Sequence, residues 1–241
     1  MASRGYDMTP TMYSPDGRIY QVEYAIETVN RGTLAIGLRC KDGVLVAVEE
    51  APQALQTSGV TQKIFQVDKH IGIAAAGYIP DARIQVNNAR YFSQGTRITY
   101  DESVEVETVA KYLADQCHQF TQYSGVRPYG VALIIAGVDQ KGNSVYVTDP
   151  SGTYVPYAAI AIGAGSQEAN AFLETKYDSQ MSMSDAAALA IAATNRKKDE
   201  KTETAHIKMA MITSTDSIMQ KINKEDIEKY SSIATDKFGN A

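Results

Sequence analysis

Apolar residues along the chain recur at two spacings, and each spacing predicts one type of secondary structure. Where they return every three or four residues, as at Val106, Val109, Ala110 and Leu113, they predict one buried face of a helix. Helices are predicted over about 18–31, 81–94, 106–123, 167–177 and 184–196, with a short one over 224–230. The stretch Ser182-Met183-Ser184-Asp185 is predicted to supply the N-terminal cap of the fifth helix.

Runs of β-prone residues bounded by turn residues predict strands. The first two runs are joined by Lys41-Asp42-Gly43, in which Asp-Gly is a hairpin signal. Strands are predicted over 33–39, 44–49, 64–67, 70–76, 131–138, 144–148, 153–157, 159–162, 206–213 and 217–221. We expect the first four to form one antiparallel sheet, because the connections between them are tight. Strands, a helix pair, strands, a second helix pair and strands follow one another. This order predicts an α+β protein with a four-layer αββα sandwich, in which each sheet is covered by a helix pair.

A turn followed by a short amphipathic helix stands out near the N-terminus. Residues 14–17 read Ser-Pro-Asp-Gly, and proline with small polar residues and glycine is typical of a type I turn. Apolar Ile19, Val22, Ile26 and Val29 then recur at helical spacing. A helix of two to three turns is marginal on its own, so we expect it to be held by packing against something else.

The remaining patterns divide the chain into one domain with two extensions. Residues 1–13 lack periodicity and carry Gly, Ser, Thr and Pro, so we expect a mobile N-terminal arm. Residues 14–230 are expected to form a single domain, since no break in composition or internal repeat suggests a second one. Residues 231–241 are expected to form a disordered tail.

Composition excludes several classes of protein. The net charge of −5 argues against binding to a nucleic-acid backbone, which needs clustered Lys and Arg. The chain has no run of apolar residues long enough to cross a membrane and no basic-then-apolar signal pattern. Its 2 cysteines are too few for a disulfide framework. We therefore expect a cytoplasmic protein, also nuclear if the source is eukaryotic. Its 15 tyrosines suit either subunit interfaces or ordinary half-buried positions.

Motifs for cofactors and metals are not matched. Gly163-Ala164-Gly165 precedes a helix, but the third glycine and the later acidic residue of a dinucleotide site are missing. The chain contains neither a Gly-x-x-x-x-Gly-Lys-Ser/Thr nor a Gly-x-Ser-x-Gly sequence. His70, His118 and His206 are far apart and lack the ligand spacing of a zinc site. We expect no cofactor and no metal.

The turn and helix carry a resemblance to a known family. Residues 14–25, Ser-Pro-Asp-Gly-Arg-Ile-Tyr-Gln-Val-Glu-Tyr-Ala, preceded by Tyr6-Asp7, resemble the N-terminal signature of α-type subunits of the proteasome core particle. Further matches at 81–83, 123–130, 149–152 and 161–163 extend the resemblance over nearly the whole chain. It implies the αββα sandwich of the N-terminal-nucleophile hydrolases and a subunit that breaks no bonds itself.

The resemblance also implies partners. Copies of the chain, or related α-subunits, would form seven-membered end rings that cap two rings of catalytic β-subunits. An ATPase activator with a C-terminus of the type hydrophobic-Tyr-X would dock on the α ring, and unfolded proteins would enter as substrates.

Three groups of site residues are implied by the same resemblance. Tyr6, Asp7, Pro15 and Tyr24 would cluster as the axial gate opens; the family pattern Tyr-Asp-Arg is broken here by Met8, which removes a guanidinium contact to a neighbouring Asp7. The other two groups are a pocket for the activator tail and a loop lining the pore below the gate. The pocket comprises Lys63, Gly32 and Glu23, and the pore loop comprises Tyr123, Ser124, Gly125 and Arg127.

Two alternatives remain open. In the catalytic β-subunits, as the resemblance implies, an N-terminal Thr freed by cleavage after Gly is the nucleophile. This chain has Gly32-Thr33, followed by Glu49 and Lys63, so a self-processing threonine hydrolase is one alternative. Against it, Thr33 follows an intact N-terminal signature, and a blocked amine cannot serve as the base. The other alternative is a binding module that never joins a protease.

Overall fold

The protein is described by a computed structural model covering residues 8–9, 11–50, 55, 62–196 and 206–239. Tyr6, Asp7 and the rest of the predicted arm before Met8 lie outside the described residues. The helices are α1 (Tyr20–Arg31), α2 (Ile79–Tyr100), α3 (Val106–Gln122), α4 (Ser166–Lys176), α5 (Met183–Thr194) and α6 (Lys224–Phe238). The strands are β1 (Ala35–Cys40), β2 (Gly43–Glu49), β3 (Ile64–Asp68), β4 (Ile71–Gly77), β5 (Val131–Asp139), β6 (Gly142–Thr148), β7 (Tyr154–Pro156), β8 (Ala159–Ile162), β9 (Ile207–Thr213) and β10 (Met219–Lys221).

The strands form two antiparallel sheets. The first sheet has the order β10-β9-β2-β1-β8, and the second has the order β3-β4-β5-β6-β7. Alternating side chains of β1 and β2 face either the other sheet, through Ala35, Val44 and Val46, or the helices, through Ile36 and Leu45. α4 and α5 cover the outer face of the first sheet, while α2 and α3 cover the second. The predicted αββα sandwich is confirmed.

The prediction that the first four strands share one sheet is wrong. β1 and β2 form a hairpin in the first sheet, and β3 and β4 form a hairpin in the second. Each hairpin is completed by a strand that lies far away in the sequence, β9 beside β2 and β5 beside β4. Local patterns specify hairpins well, but they carry little information about which distant strand completes a sheet.

Two helices are longer than predicted. α2 continues past the expected end near Gln94 because Gly95 alone does not stop a helix. It ends at Tyr100, and the next residue, Asp101, adopts a left-handed conformation at φ 55°. The disordered tail is wrong for residues 231–238, which belong to α6. Ala234 is buried there and Phe238 packs on Phe172, so this turn of helix covers part of the core. The predicted cap of α5 is confirmed, since Ser182 Oγ accepts a hydrogen bond from Asp185 N.

A close approach of two backbones joins α1 to the sandwich. A Cβ on Gly32, which follows α1, would lie 2.2 Å from Gly77 N at the end of β4. Gly77 itself has φ 114° and would place a Cβ 2.4 Å from Gly130 O. Glycine is therefore required at both positions, and the chain's own backbone occupies the space beside Gly32.

Within the described residues, no helix is both long enough and apolar enough to span a lipid bilayer.

Candidate functional site at the first helix

The turn before α1 is closed by hydrogen bonds to one serine. Ser14 N donates to Arg18 O at 2.8 Å, and Ser14 O accepts from Gly17 N at 2.9 Å. Ser14 Oγ accepts from Arg18 N at 3.1 Å, and Gly17 has φ 75°. The predicted turn is confirmed, with Pro15 exposed on its outer side. Because Ser14 is buried and bonded on both sides, the turn is a compact body that directly precedes α1.

α1 packs on its own chain. Val22, Ala25 and Val29 are buried, and the helix lies against β4 and β5. The expectation that α1 is held by packing against something else is therefore confirmed, and its support includes the sheet of its own chain. Its opposite face remains open, with Tyr24 49% and Ile26 37% exposed. The sequence pattern places Ile26 on the buried stripe, but Ala25 takes that place in the structure.

The predicted pocket residue Glu23 has a partner that sequence reasoning missed. Both Nε and Nη2 of Arg18 donate to the Glu23 carboxylate, which ties the turn to the first turn of α1. The Arg18 guanidinium also lies 5.2 Å from the centre of the Tyr20 ring. Hydrogen bonding from Arg18 lowers the pKa of Glu23. The two residues are five positions apart, outside the three- or four-residue spacing of helical ion pairs, so no local pattern indicated this contact.

Lys63 lies at the base of this region as a buried cation. Its side chain reaches from the segment before β3 to the first sheet, and only 6% of the residue is exposed. Nζ donates to Thr33 O at 2.7 Å, Thr33 Oγ1 at 2.6 Å, Leu34 O at 3.2 Å and Glu49 O at 3.2 Å. The ammonium thus faces the chain's own oxygens, whereas the predicted pocket had it facing outwards. Glu23, from the same predicted group, is bound by Arg18.

Thr33 and Lys63 meet as the self-processing alternative required, whereas Glu49 contacts both of them through its backbone carbonyl rather than through its carboxylate. The exposed Thr33 hydroxyl donates to Glu49 O at 2.8 Å and accepts from Lys63. Its nitrogen, however, is an amide joined to Gly32, whose carbonyl accepts from Ala164 N at 2.7 Å. A threonine nucleophile of this type needs a free amine as base, so the trio is not poised for hydrolysis in the intact chain.

The predicted pore loop is anchored at one end. Tyr123, Ser124 and Gly125 are exposed, and Gly125 has φ 85°. Arg127, by contrast, binds the buried carboxylate of Asp81 through Nη1 at 2.6 Å and Nη2 at 2.9 Å. Asp81 also accepts from Gly130 N at 2.9 Å, so the loop is held at the start of α2.

One cavity brings two of the predicted groups together. Tyr24 from the gate and Arg127 from the pore loop line a space of about 330 Å³. Its other lining residues are Gln21, Ala25, Thr28, Tyr78, Pro128 and Gly130. The structure therefore places the exposed side of α1 next to the anchored end of the loop. Within the described ranges, no group of three His, Cys, Asp or Glu side chains is arranged to hold a metal ion.

Comparison with known proteins finds the same family over almost the entire chain. A family model described as "Proteasome subunit" matches residues 29–212, and a second model, for the N-terminal signature of alpha-type proteasome subunits, matches residues 6–27. The chain is 45% identical over 227 residues to the proteasome alpha subunit of Pyrococcus abyssi, covering 94% of this chain and 86% of the relative. It is 41% identical over 228 residues to the protein of the same name from Methanoregula boonei, covering 94% and 95%.

Proposed function

The chain belongs to the proteasome subunit family as an alpha-type member of the core particle, and on this premise we propose that it is a non-catalytic ring subunit that gates substrate entry. The ring would assemble with β-subunits, admit unfolded proteins and dock an ATPase activator in the cytoplasm. The observation that carries the proposal is the integration of α1 into the domain directly upstream of Thr33.

A catalytic role would require the loss of this helix. Cleavage after Gly32 would remove Val22, Ala25 and Val29 from their packing against the second sheet. It would also remove Gly32 O, the acceptor for Ala164 N. The test is the intact mass of the chain purified with its β partner. We expect a chain that retains residues 1–32; a chain that begins at Thr33 would establish the self-processing hydrolase instead.

Gating is supported by the position of the turn and α1. The turn that ends the N-terminal arm is fused to α1, and α1 lines one cavity with the loop that would surround the pore. A movement of the turn would therefore shift α1, which lies next to the proposed entry path. Deleting residues 1–12 from the assembled particle should raise the basal hydrolysis of short peptides by its β-subunits. No rise would contradict a closed gate formed by the arm.

Activator docking is proposed at Lys63. A compact ammonium suits a single terminal carboxylate. The Lys63 ammonium lies beside exposed Thr33, just after the C-terminal end of α1. Lys63→Ala should abolish activator-stimulated peptide hydrolysis and leave ring assembly intact. Lys69→Ala is the matched control, because Lys69 is exposed in the β3–β4 turn. Equal stimulation in both variants would refute the assignment.

A further inference from the structure

The oxygens around Lys63 suggest how docking at this site is controlled. An ammonium group has three protons, and Nζ already faces four oxygen acceptors within the residues that the structure describes. An incoming carboxylate oxygen therefore has to replace one of these acceptors. The acceptor that is replaced has to be one that can move away from Nζ without disturbing the sheet.

Three of the acceptors are backbone carbonyls of the β1–β2 hairpin region. Leu34 O also accepts from Glu49 N, and the segment before β1 and the end of β2 are held by the sheet register. Moving one of these carbonyls would disturb the sheet. The fourth acceptor, Thr33 Oγ1, belongs to a side chain that can change its χ1 rotamer without moving the backbone.

The difference in exposure between Lys63 and Thr33 also indicates that the Thr33 hydroxyl is the acceptor that is replaced. Lys63 is almost completely buried, whereas Thr33 is exposed, so an approaching ligand meets the Thr33 hydroxyl before the ammonium. The hydroxyl proton is directed to Glu49 O at 2.8 Å, which leaves an oxygen lone pair facing Nζ.

We propose that Thr33 masks Lys63, and that docking of a C-terminal carboxylate exchanges the Thr33 hydroxyl for a carboxylate oxygen at Nζ. This inference rests on the proposed docking role of Lys63 and makes Thr33 a residue that sets the affinity of that site. The exchange replaces a neutral acceptor with a charged one, and an ammonium binds a carboxylate oxygen more strongly than a hydroxyl oxygen because both partners are then ionised. Thr33 thus lowers affinity by the free energy of the bond that must be broken.

The test uses the assembled particle and a synthetic peptide ending in hydrophobic-Tyr-X with a free carboxylate. Thr33→Ala removes the masking oxygen and leaves space for the ligand, whereas Thr33→Ser keeps the hydroxyl. We expect Thr33→Ala to bind the peptide about ten- to a hundredfold more tightly, the range for one hydrogen bond donated by a charged group. Thr33→Ser should bind as the unmodified particle does. The same peptide with a C-terminal amide should show no gain from Thr33→Ala.

The results separate two kinds of failure. If the unmodified particle binds the acid better than the amide, and Thr33→Ala binds the acid equally or more weakly, the masking role is wrong. If the unmodified particle binds acid and amide alike, the proposed docking at Lys63 is wrong and masking falls with it. As a second measurement, acetylation of Lys63 followed by mass spectrometry should be faster in Thr33→Ala than in Thr33→Ser; equal rates would overturn masking.

Discussion

Gly32 carries the tightest constraint at the scale of single residues. Its missing side chain allows the backbone of β4 to approach, and a methyl group there would meet Gly77 N at 2.2 Å. Gly32→Ala should therefore lower the free energy of unfolding by about 1–3 kcal/mol, the range for overpacking. Gly95→Ala is the matched control, because Gly95 lies in α2 with open space around it. That change should raise stability by about 0.5–1 kcal/mol. Urea unfolding at equal protein concentration measures both, and a common sign would contradict the assignment.

Asp81 is the residue on which the pore loop depends. Its carboxylate is buried and accepts from Arg127 and Gly130 N, while the Arg127 side chain is 58% exposed. Asp81→Asn keeps the volume but removes the charge, so we expect a loss of about 1–2 kcal/mol, reduced by solvent screening at Arg127. Amide exchange over residues 123–130 should become faster. Asp115→Asn, on the exposed side of α3, should leave exchange in the loop unchanged; equal exchange in both variants would argue against the anchor.

Sequence reasoning identified important residues at this scale more reliably than it identified their partners. It singled out Thr33, Glu49 and Lys63; the structure brings Thr33 and Lys63 together, while Glu49 contacts both through its backbone carbonyl only. It did not predict that Lys63 is buried against carbonyl oxygens, because the direction of a long side chain is decided by tertiary packing. The partner of Asp81 is 46 positions away, and no local pattern reports such a contact.

At the scale of elements, the turn and α1 form one unit through Arg18 and Glu23. Glu23→Arg should loosen the turn, because two guanidinium groups then face each other, and Arg18→Glu combined with Glu23→Arg should restore it. Amide exchange at Gly17 and Arg18 measures the effect. Since Arg18 lowers the pKa of Glu23, the pair holds above the ordinary glutamate pKa and weakens as the pH falls through the lowered value. Faster exchange in the double variant than in Glu23→Arg alone would show that the pair does not hold the turn.

The last two turns of α6 should stabilise the first sheet's helical layer. Truncation after Tyr230 removes buried Ala234 and the Phe238 ring, which packs edge-on against Phe172 at 6.3 Å between ring centres. The free energy of unfolding should fall by about 2–5 kcal/mol, as for large losses of core packing. Removing only residues 239–241 should have no such effect. Equal stability of the two truncated chains would mean that this part of α6 contributes no packing.

Elements were predictable where the apolar period was strong and unbroken. α3 was expected over 106–123 and is observed at Val106–Gln122. The end of α6 was missed although Tyr230, Ala234 and Phe238 keep helical spacing, because the polar residues between them gave the segment the composition of a disordered tail. Such a segment is helical only because the core offers a surface for it, which composition alone does not reveal.

At the scale of the whole molecule, the layer order followed from the sequence, but the division of strands between sheets did not. β1 and β2 are joined to β3 and β4 by a segment lying mostly outside the described residues. Both hairpins fit either sheet by local pattern. The first hairpin belongs to one sheet because β2 pairs with β9, and the second belongs to the other because β4 pairs with β5; both partner strands lie much later in the sequence. Long-range pairing is the part of a fold that a local period leaves open.

The last prediction concerns ring formation. One face of α1 is buried within its own chain, and the other is exposed. Val22, Ala25 and Val29 pack within the chain, so the helix does not depend on a neighbour for its existence. Ile26 and Tyr24 remain exposed on the other face, where a second copy would cover them in the proposed ring. Ile26→Glu should leave the fold of the single chain intact but place a charge in that contact, so native mass spectrometry should show a shift from rings to monomers. Glu27→Gln, the next residue on the exposed side, is the control and should still form rings. Rings in both variants at equal concentration would mean that the exposed face of α1 lies outside the contact between copies, and that the gate is supported by the chain that carries it.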